Sequence, residues 1–298
     1  MADPDDGAPE FERHRDLLRS VAYRVLGRVT DTDDVVQEAW LRWSNANTDE
    51  VVDPRAYLIR VTTRLSIDRL RQLKALRESY VGPWLPEPLA TTQDTSEEVE
   101  VAESVSMALL IVLETLSPLE RAVFVLREAF DYPYAEIAEI LDREEPAVRQ
   151  LARRARDHVH ERRPRFETDR RTRHRVTERF LAAANSGDMD RLLGVLAPDV
   201  VLVADGGGVV RAPRRAVRGA AQVARVLRGS WAYQVPDRDI FVADLNGAPA
   251  IVVTSAGSPV AAMSVEVGDG VVHALHLVSN PDKLVGVGMS RRSGPDPS

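Results

Sequence analysis

Between Leu116 and His158 apolar residues recur at helical spacing in two runs separated by a short polar break. The first, Tyr134 to Leu141, sets Ile137, Ala138 and Leu141 at core spacing. The second opens near Pro146, a residue suited to a first helical turn. It places Val148, Leu151, Ala152 and Ala155 at i, i+3, i+4 and i+7, which puts them on one buried face. Two helices joined by a tight turn are predicted, a helix-turn-helix closing a four-helix module. On the second helix Arg149, Gln150, Arg153 and Arg154 point away from the apolar side. A guanidinium-rich face there suits a DNA major groove, because Arg bonds guanine edges and phosphates.

The same periodicity predicts an all-helical segment upstream. Leu17, Leu18, Val21 and Val25 mark a first helix. A second runs from about Asp33 to Ser44 with Val36, Ala39, Trp40 and Trp43 inward, and a third starts at Asp53-Pro54 and reaches about Arg77. Then comes GPWLPEPLATTQDTSEE, where Pro83, Pro86 and Pro88 block a helix. Trp84 and Leu85 are unusual in such a linker unless they dock on something. After Arg170 the pattern changes. A helix over Val176 to Ser186 precedes Val-rich strands at Val200–Ala204, Asp239–Leu245, Ala250–Ser255, Ala261–Val267 and Val271–Val278, broken by Asn-Gly and Asp-Gly turns. The expected fold class is multidomain, two all-α modules followed by an α+β domain. The expected boundaries are 8–78, a linker at 79–103, 104–165, 170–288, and a polar, disordered tail at 289–298.

Composition narrows the class. With 298 residues, 44% hydrophobic and 29% charged, the chain is long enough for two or three cores. No apolar run is long enough to span a membrane, and the acidic N-terminus MADPDDGAPE has no apolar h-region, so a cytoplasmic protein is expected. Cysteine is absent, which excludes disulfides, thiol catalysis and Cys-based zinc sites. The net charge of −7 argues against indiscriminate nucleic-acid binding. Arginines nevertheless cluster in Arg55–Arg77 and Arg149–Arg175, so DNA contact through limited surfaces is expected, helped by a partner.

Two faces in the first segment stand out. Asp34, Gln37, Glu38 and Leu41 share one side of the second helix, opposite Trp40 and Trp43. That stripe suits a basic partner, although spacing alone favours a plain solvated face. On the third helix Arg60, Thr63, Arg64, Arg71 and Lys74 fall in one sector, with Leu58, Val61, Thr62 and Leu65 opposite. A cationic face with a hydroxyl fits phosphates or exposed bases, or a solubilising surface.

The stretch TDTDDVVQEAWLRW…DPRAYLIRVTTRLSIDRLRQ resembles domain 2 of bacterial extracytoplasmic-function sigma factors. LETLSPLERAVFVLREAFDYPYAEIAEIL…PAVRQLARRAR resembles their domain 4. WLPEP in the linker, DGGG at Asp205–Gly208 and NPDKL at Asn280–Leu284 look like the signatures of a subgroup with a fused SnoaL-like (NTF2-like) cone. The resemblance implies a promoter-specificity subunit, not an enzyme, without cofactor or metal. Its partners would be core RNA polymerase (β′ clamp helices and β flap) and promoter DNA. It implies polymerase contacts at Asp34, Gln37, Glu38 and Leu41. It implies −10 contacts at Arg60, Thr63, Arg64, Asp68 and Arg71, and −35 contacts at Arg149, Gln150, Arg153 and Arg154. Interdomain docking would fall to Trp84, Leu85, Pro86, Asp205, Asn280, Pro281, Asp282, Lys283 and Leu284, with the fused domain in place of a separate anti-sigma protein. The turn of the helix-turn-helix departs from the pattern, carrying Asp142-Arg143 and then Glu144-Glu145.

Such cones can be cyclases or isomerases, and Asp205, His273, His276 and Asp282 are the acid/base candidates here. His273 and His276 lie on opposite faces of one strand, so no convincing pair emerges. A small-molecule regulatory ligand of the C-terminal domain and a purely docking role both stay open. A conventional helix-turn-helix regulator would leave the first segment without a role. A monomer is expected for the free chain.

Overall fold

The computed structural model describes residues 7–47, 50–91, 106–162, 168–229 and 235–287. The expected tail at 289–298 and the linker's second half lie outside these residues. The chain divides into two compact units, Met1–Glu78 with Gln93–Arg163, and Ser79–Thr92 with Pro164–Ser298. The stretch 79–92 thus belongs to the C-terminal unit.

Unit one is helical. Helix α1 (Ala8–Leu26) begins with Pro9 in its first turn and stops at Gly27, whose φ of 69° is left-handed. Helix α2 spans Val29–Ser44. Helix α3 (Pro54–Arg77) starts where the Asp53 carboxylate accepts from the Ala56 amide. Next come α4 (Met107–Leu113), capped by Ser106, and α5 (Pro118–Phe124), opened by a reciprocal Ser117/Glu120 capping box. A π-helical turn, Val125–Ala129, leads to α6 (Tyr134–Leu141) and α7 (Glu145–Arg162). Asp142 makes the turn between them at φ 54°, a conformation that Asp tolerates better than most residues.

The two helical modules share a core. Leu58, Ile59 and Ile67 of α3 pack in one cluster with Ala122, Val123, Ile137, Ile140 and Leu141. This corrects the expected face of α3. Its buried residues are Leu58, Ile59, Thr62, Thr63, Ser66, Ile67, Leu70 and Leu73, while Val61 and Leu65 are only half-buried. The buried arc is turned by about 100° from the one periodicity suggested. The reason is that α3 lies between two layers, with α1 and α2 on one side and α5 and α6 on the other.

Unit two is an α+β cone. Helix α8 (Arg170–Ser186), capped by Asp169 and ended at Gly187, is followed by the short α9 (Met189–Leu193). Six strands follow, β1 (Leu196–Asp205), β2 (Val217–Arg218), β3 (Arg238–Leu245), β4 (Ala248–Ser255), β5 (Ser258–Gly268) and β6 (Val271–Val278), with α10 (Ala220–Arg228) between β2 and β3. The order is β2-β1-β6-β5-β4-β3, and only β1 with β6 is parallel. Asn246-Gly247 and Asp269-Gly270 turn the hairpins with positive φ, as those pairs predict. The sequence reading did not anticipate β2 and α10. Phe180, Val176, Val223 and Leu227 from the helices pack on Leu202, Ile251, Met263 and Leu275. The remaining hollow beside Phe180, Ile240 and Met263 is only about 30 Å³, the share of liquid volume one water takes.

Candidate nucleic-acid interface and linker-binding cluster

The α2 face is solvent-exposed. Asp34 and Gln37 point outward, Glu38 pairs with Arg42 at 3.1 Å, and Leu41 keeps 48% of its surface exposed. An outward Leu on an otherwise polar stripe has no role in the unit's core.

On α3 the structure separates the five expected DNA residues. Arg60 is exposed, and Asp68 and Arg71 pair with each other at 2.8 Å. Arg64 donates from Nε to the Ile140 carbonyl of α6 at 2.8 Å. Thr63, expected on an open face, is fully buried, which corrects that placement. A helix next to the one being read has covered it. Nearby, Lys74 Nζ donates to the Leu116 carbonyl at 2.5 Å. Glu114 takes Arg121 at 2.7 Å and also Arg77. Burial would raise the Glu114 carboxyl, but the charges and hydrogen bonds of Arg121 and Arg77 outweigh it and hold it below its ordinary value. Arg121 Nε also reaches the Arg24 carbonyl of α1 at 3.1 Å, so this network ties α1, α3 and the α4–α5 turn together.

Helix α7 buries Val148, Ala152, Ala155 and Val159 and presents Arg149, Gln150, Arg153 and Arg154 to solvent. Each of those arginines already faces a carboxylate. Arg149 holds Glu145 and lies over the Tyr134 ring at 4.6 Å, Arg154 meets Glu120 at 3.2 Å, and Arg153 stands 3.8 Å from Asp157. Exposed pairs of this kind contribute ~0–1 kcal/mol, so phosphates or bases can displace them.

The second cluster lies in unit two, where the linker meets the cone. Asp205 ends β1 and is completely buried. Its Oδ2 accepts from Lys283 Nζ at 2.7 Å and from the Leu85 amide at 2.9 Å. Its Oδ1 accepts from the Tyr80 hydroxyl at 2.5 Å and the Gly207 amide at 3.1 Å. Lys283 also donates to the Leu85 carbonyl at 2.7 Å, and its ammonium stands 3.2 Å from the Trp84 ring centre. Asn280 Nδ2 donates to the Tyr80 oxygen at 2.9 Å. Gly207 must be glycine, since its φ is 64° and a Cβ would come within 2.5 Å of Asn280. A buried Lys–Asp pair is tolerable only when its remaining valences are satisfied, and here the linker backbone and Tyr80 satisfy them.

The linker then runs along the β3–β4 hairpin end through an isolated bridge and backbone hydrogen bonds. Ala90 bridges Leu245, the Thr91 amide bonds the Asp244 carbonyl at 3.0 Å, and the Asn246 amide bonds the Leu89 carbonyl at 2.8 Å. Leu85 and Pro86 are buried, as are Asn280, Lys283 and Leu284. Pro281 and Asp282 are exposed, which corrects their placement among the docking residues. They form the short 3-10 turn that aims Lys283 inward, with the Asp282 amide bonded to Asn280 Oδ1. Tyr80 was missed by sequence reasoning. Its signal was an aromatic four residues before Trp84, and the two rings now meet edge-on at 4.7 Å.

A third polar feature also escaped the sequence reading. Glu266 on β5 lies 3.4 Å from Nδ1 of His276 on β6. Burial pushes the Glu266 carboxyl up to about 7 and the His276 imidazole down to about 4. Neither residue lines the interior hollow. Among the described residues no group of acids and histidines could hold a metal, and no helix is long and apolar enough to cross a membrane.

Against known proteins, residues 11–75 match sigma-70 region 2, residues 106–159 match sigma-70 region 4, and residues 177–273 match the SnoaL-like domain. The chain is 39% identical over 299 residues to the ECF RNA polymerase sigma factor SigJ of Mycobacterium tuberculosis, covering 95% of each. It is 33% identical over 290 residues to a probable ECF RNA polymerase sigma factor, SigI, of the same species, covering 95% of this chain and 97% of the relative. The crystal structure of M. tuberculosis SigJ matches with a TM-score of 0.74 at 36% identity, over 94% of this chain and 98% of the other.

Proposed function

This chain belongs to the extracytoplasmic-function sigma factors with a fused SnoaL-like domain, and we propose on that basis that it joins core RNA polymerase and directs initiation at −10/−35 promoters in the cytoplasm. The observation that carries the reading is that one unit carries both the exposed, self-neutralised arginine face of α7 and an exposed α2 stripe with an outward Leu41. The stripe Asp34, Gln37, Glu38 and Leu41 takes the β′ clamp helices, and region 4 takes the β flap. Arg149, Gln150, Arg153 and Arg154 read the −35 element, where displacing Glu145, Glu120 and Asp157 costs little.

The −10 surface is held shut in the free protein. Thr63 is fully buried, and Arg64 and Lys74 are tied to carbonyls of residues 140 and 116. Core binding must part α3 from α5 and α6 before Arg60, Thr63, Arg64, Asp68 and Arg71 can meet melted DNA. The C-terminal domain modulates this by holding the linker through Asp205, Lys283, Asn280 and Tyr80, so that freeing residues 79–92 changes the reach between the two DNA-binding modules.

Run-off transcription with purified core polymerase tests the reading, on a template carrying the chain's own upstream region. Promoter-dependent transcript from the full chain and its loss in Leu41→Asp is the expected result. No transcript together with no binding to core would remove it. Hydrogen exchange across α3, faster on core binding, tests the opening step.

A further inference from the structure

From Gly206 to Pro236 the chain carries six arginines and no aspartate or glutamate. At the chain's average frequency that stretch would hold about five acidic residues. The segment leaves β1 at Asp205, crosses an exposed loop, forms the edge strand β2 and continues into α10. Arg211, Arg214, Arg215, Arg218, Arg225 and Arg228 are all exposed. Among the described residues none of the six has a carboxylate within ion-pair distance, whereas Arg149, Arg153, Arg154 and Arg156 on α7 each have one. On α10 the buried side is Val223, Ala224 and Leu227, which leaves Arg225 and Arg228 on the outer side.

The loop is also shaped for close approach. Gly206, Gly208, Val210 and Ala212 line a hollow of about 280 Å³ with Arg211 and Arg214 at its border. Gly82, Gly206 and Gly208 open part of its wall to the backbone, Gly208 at a left-handed φ of 75°, while Val81, Val209 and Pro213 close the rest. Exposed guanidiniums with no carboxylate partner, beside an open glycine-bearing loop, suit phosphate oxygens, which take Arg bidentately.

We propose that this edge of the C-terminal domain is a contact for the phosphate backbone of duplex DNA, positioning the duplex without reading its sequence. An acidic protein surface is the less favoured partner. Stable protein interfaces are built around large apolar or aromatic anchors, and Val209 is the one large exposed apolar side chain among the segment's described residues. The net charge of −7 does not forbid the contact, because screening over ~8 Å makes the local field decide. The inference goes beyond the promoter reading, which assigns DNA contacts to unit one, and it does not require that reading to hold.

The test is fluorescence anisotropy of the full chain with a random-sequence duplex of about 40 base pairs at roughly 50 to 200 mM salt. Four arginines (Arg211, Arg214, Arg215 and Arg218) are changed together to Gln. Each lost phosphate contact flattens the log-affinity against log-salt slope by ~0.9, so loss of all four should lower the slope by about 3.6 and affinity at low salt by at least about ten-fold. A matched control, Arg13, Arg15, Arg19 and Arg191 to Gln, removes the same charge from positions that already face carboxylates. It should stay within about two-fold. Changing the same four edge arginines to Lys should keep most of the slope. The proposal is overturned if the unsubstituted chain shows no salt-dependent binding, if the folded Gln variant keeps its slope, or if the control loses as much. A Gln variant that binds DNA normally but core polymerase poorly would point to an acidic protein surface instead and would also overturn it.

Discussion

Replacing Asp205 by Ala should destabilise the C-terminal unit more than any other single change in its polar cluster. The carboxylate is fully buried and accepts four hydrogen bonds, from Lys283, Tyr80, Leu85 and Gly207. Its loss removes the carboxylate that faces the Lys283 ammonium, which is 1% exposed and also meets the Leu85 carbonyl and the Tyr80 and Trp84 rings. Stripping one member from a buried pair costs ~3–5 kcal/mol, and an orphaned Leu85 amide adds ~1–3 unless water enters. For a unit of this size about 4 kcal/mol lowers the melting temperature by about 10–15 °C. Lys283→Met should cost less, about 2 kcal/mol, because Asp205 keeps three donors and the Met follows the lysine stem. The double variant should then be less damaged than the sum of the singles, with a coupling above about 1 kcal/mol. Thermal unfolding followed by tryptophan fluorescence reads the stability, and limited proteolysis between residues 79 and 91 reads release of the linker. An Asp205→Ala protein that melts within about 1 kcal/mol of the parent and keeps a protected linker would refute the cluster as what holds the linker down.

Glu266→Gln should leave stability unchanged near pH 4.5 and raise it by up to about 3 kcal/mol at pH 8. The folded carboxyl titrates near 7 against an ordinary 4.5, so its contribution is full below 4.5 and lost as pH rises through 7; a flat difference between pH 4.5 and 8 would contradict this. His276 carries the opposite slope, its contribution full above 6.5 and lost as pH falls toward 4, and replacing it by Gln should improve acid stability in the same melts. Leu41→Asp should abolish core binding in a pull-down while shifting unfolding by less than about 0.5 kcal/mol, since the side chain is half exposed. Arg153→Ala should likewise spare stability and weaken −35 binding by about 1–3 kcal/mol in a gel-shift titration with holoenzyme. Ala256 sits at φ 47° in the turn between β4 and β5, and Ala256→Asn should stabilise the hairpin by roughly 0.5–1 kcal/mol in denaturant titration.

Local signals made most of the elements legible. The i, i+3, i+4 pattern marked α6 and α7, the Asp53-Pro54 pair marked a helix start, and Asn-Gly and Asp-Gly marked two hairpins. The edge strand β2 is two residues long and α10 has nine, both too short and too Arg-rich for periodicity to declare them. Glu266 was invisible because a single acid in an apolar strand looks like an outward residue until the opposite face is also covered.

What the sequence determined by itself is therefore what depends on neighbours within a few residues: helix faces, caps, turns, and the motifs that mark sigma regions 2 and 4 and the SnoaL-like domain. Only the tertiary structure decided which side of α3 is buried, because Arg64 bonds a carbonyl 76 positions further along the chain and Leu58, Ile59 and Ile67 pack with residues of the second module. It alone brought Tyr80, Leu85, Asp205, Asn280 and Lys283 to one point across as many as 200 positions. A side chain's periodicity says that it has an inside and an outside. The pairing of distant charges, and the burial that makes such a pair strong, exist only after the chain has closed on itself.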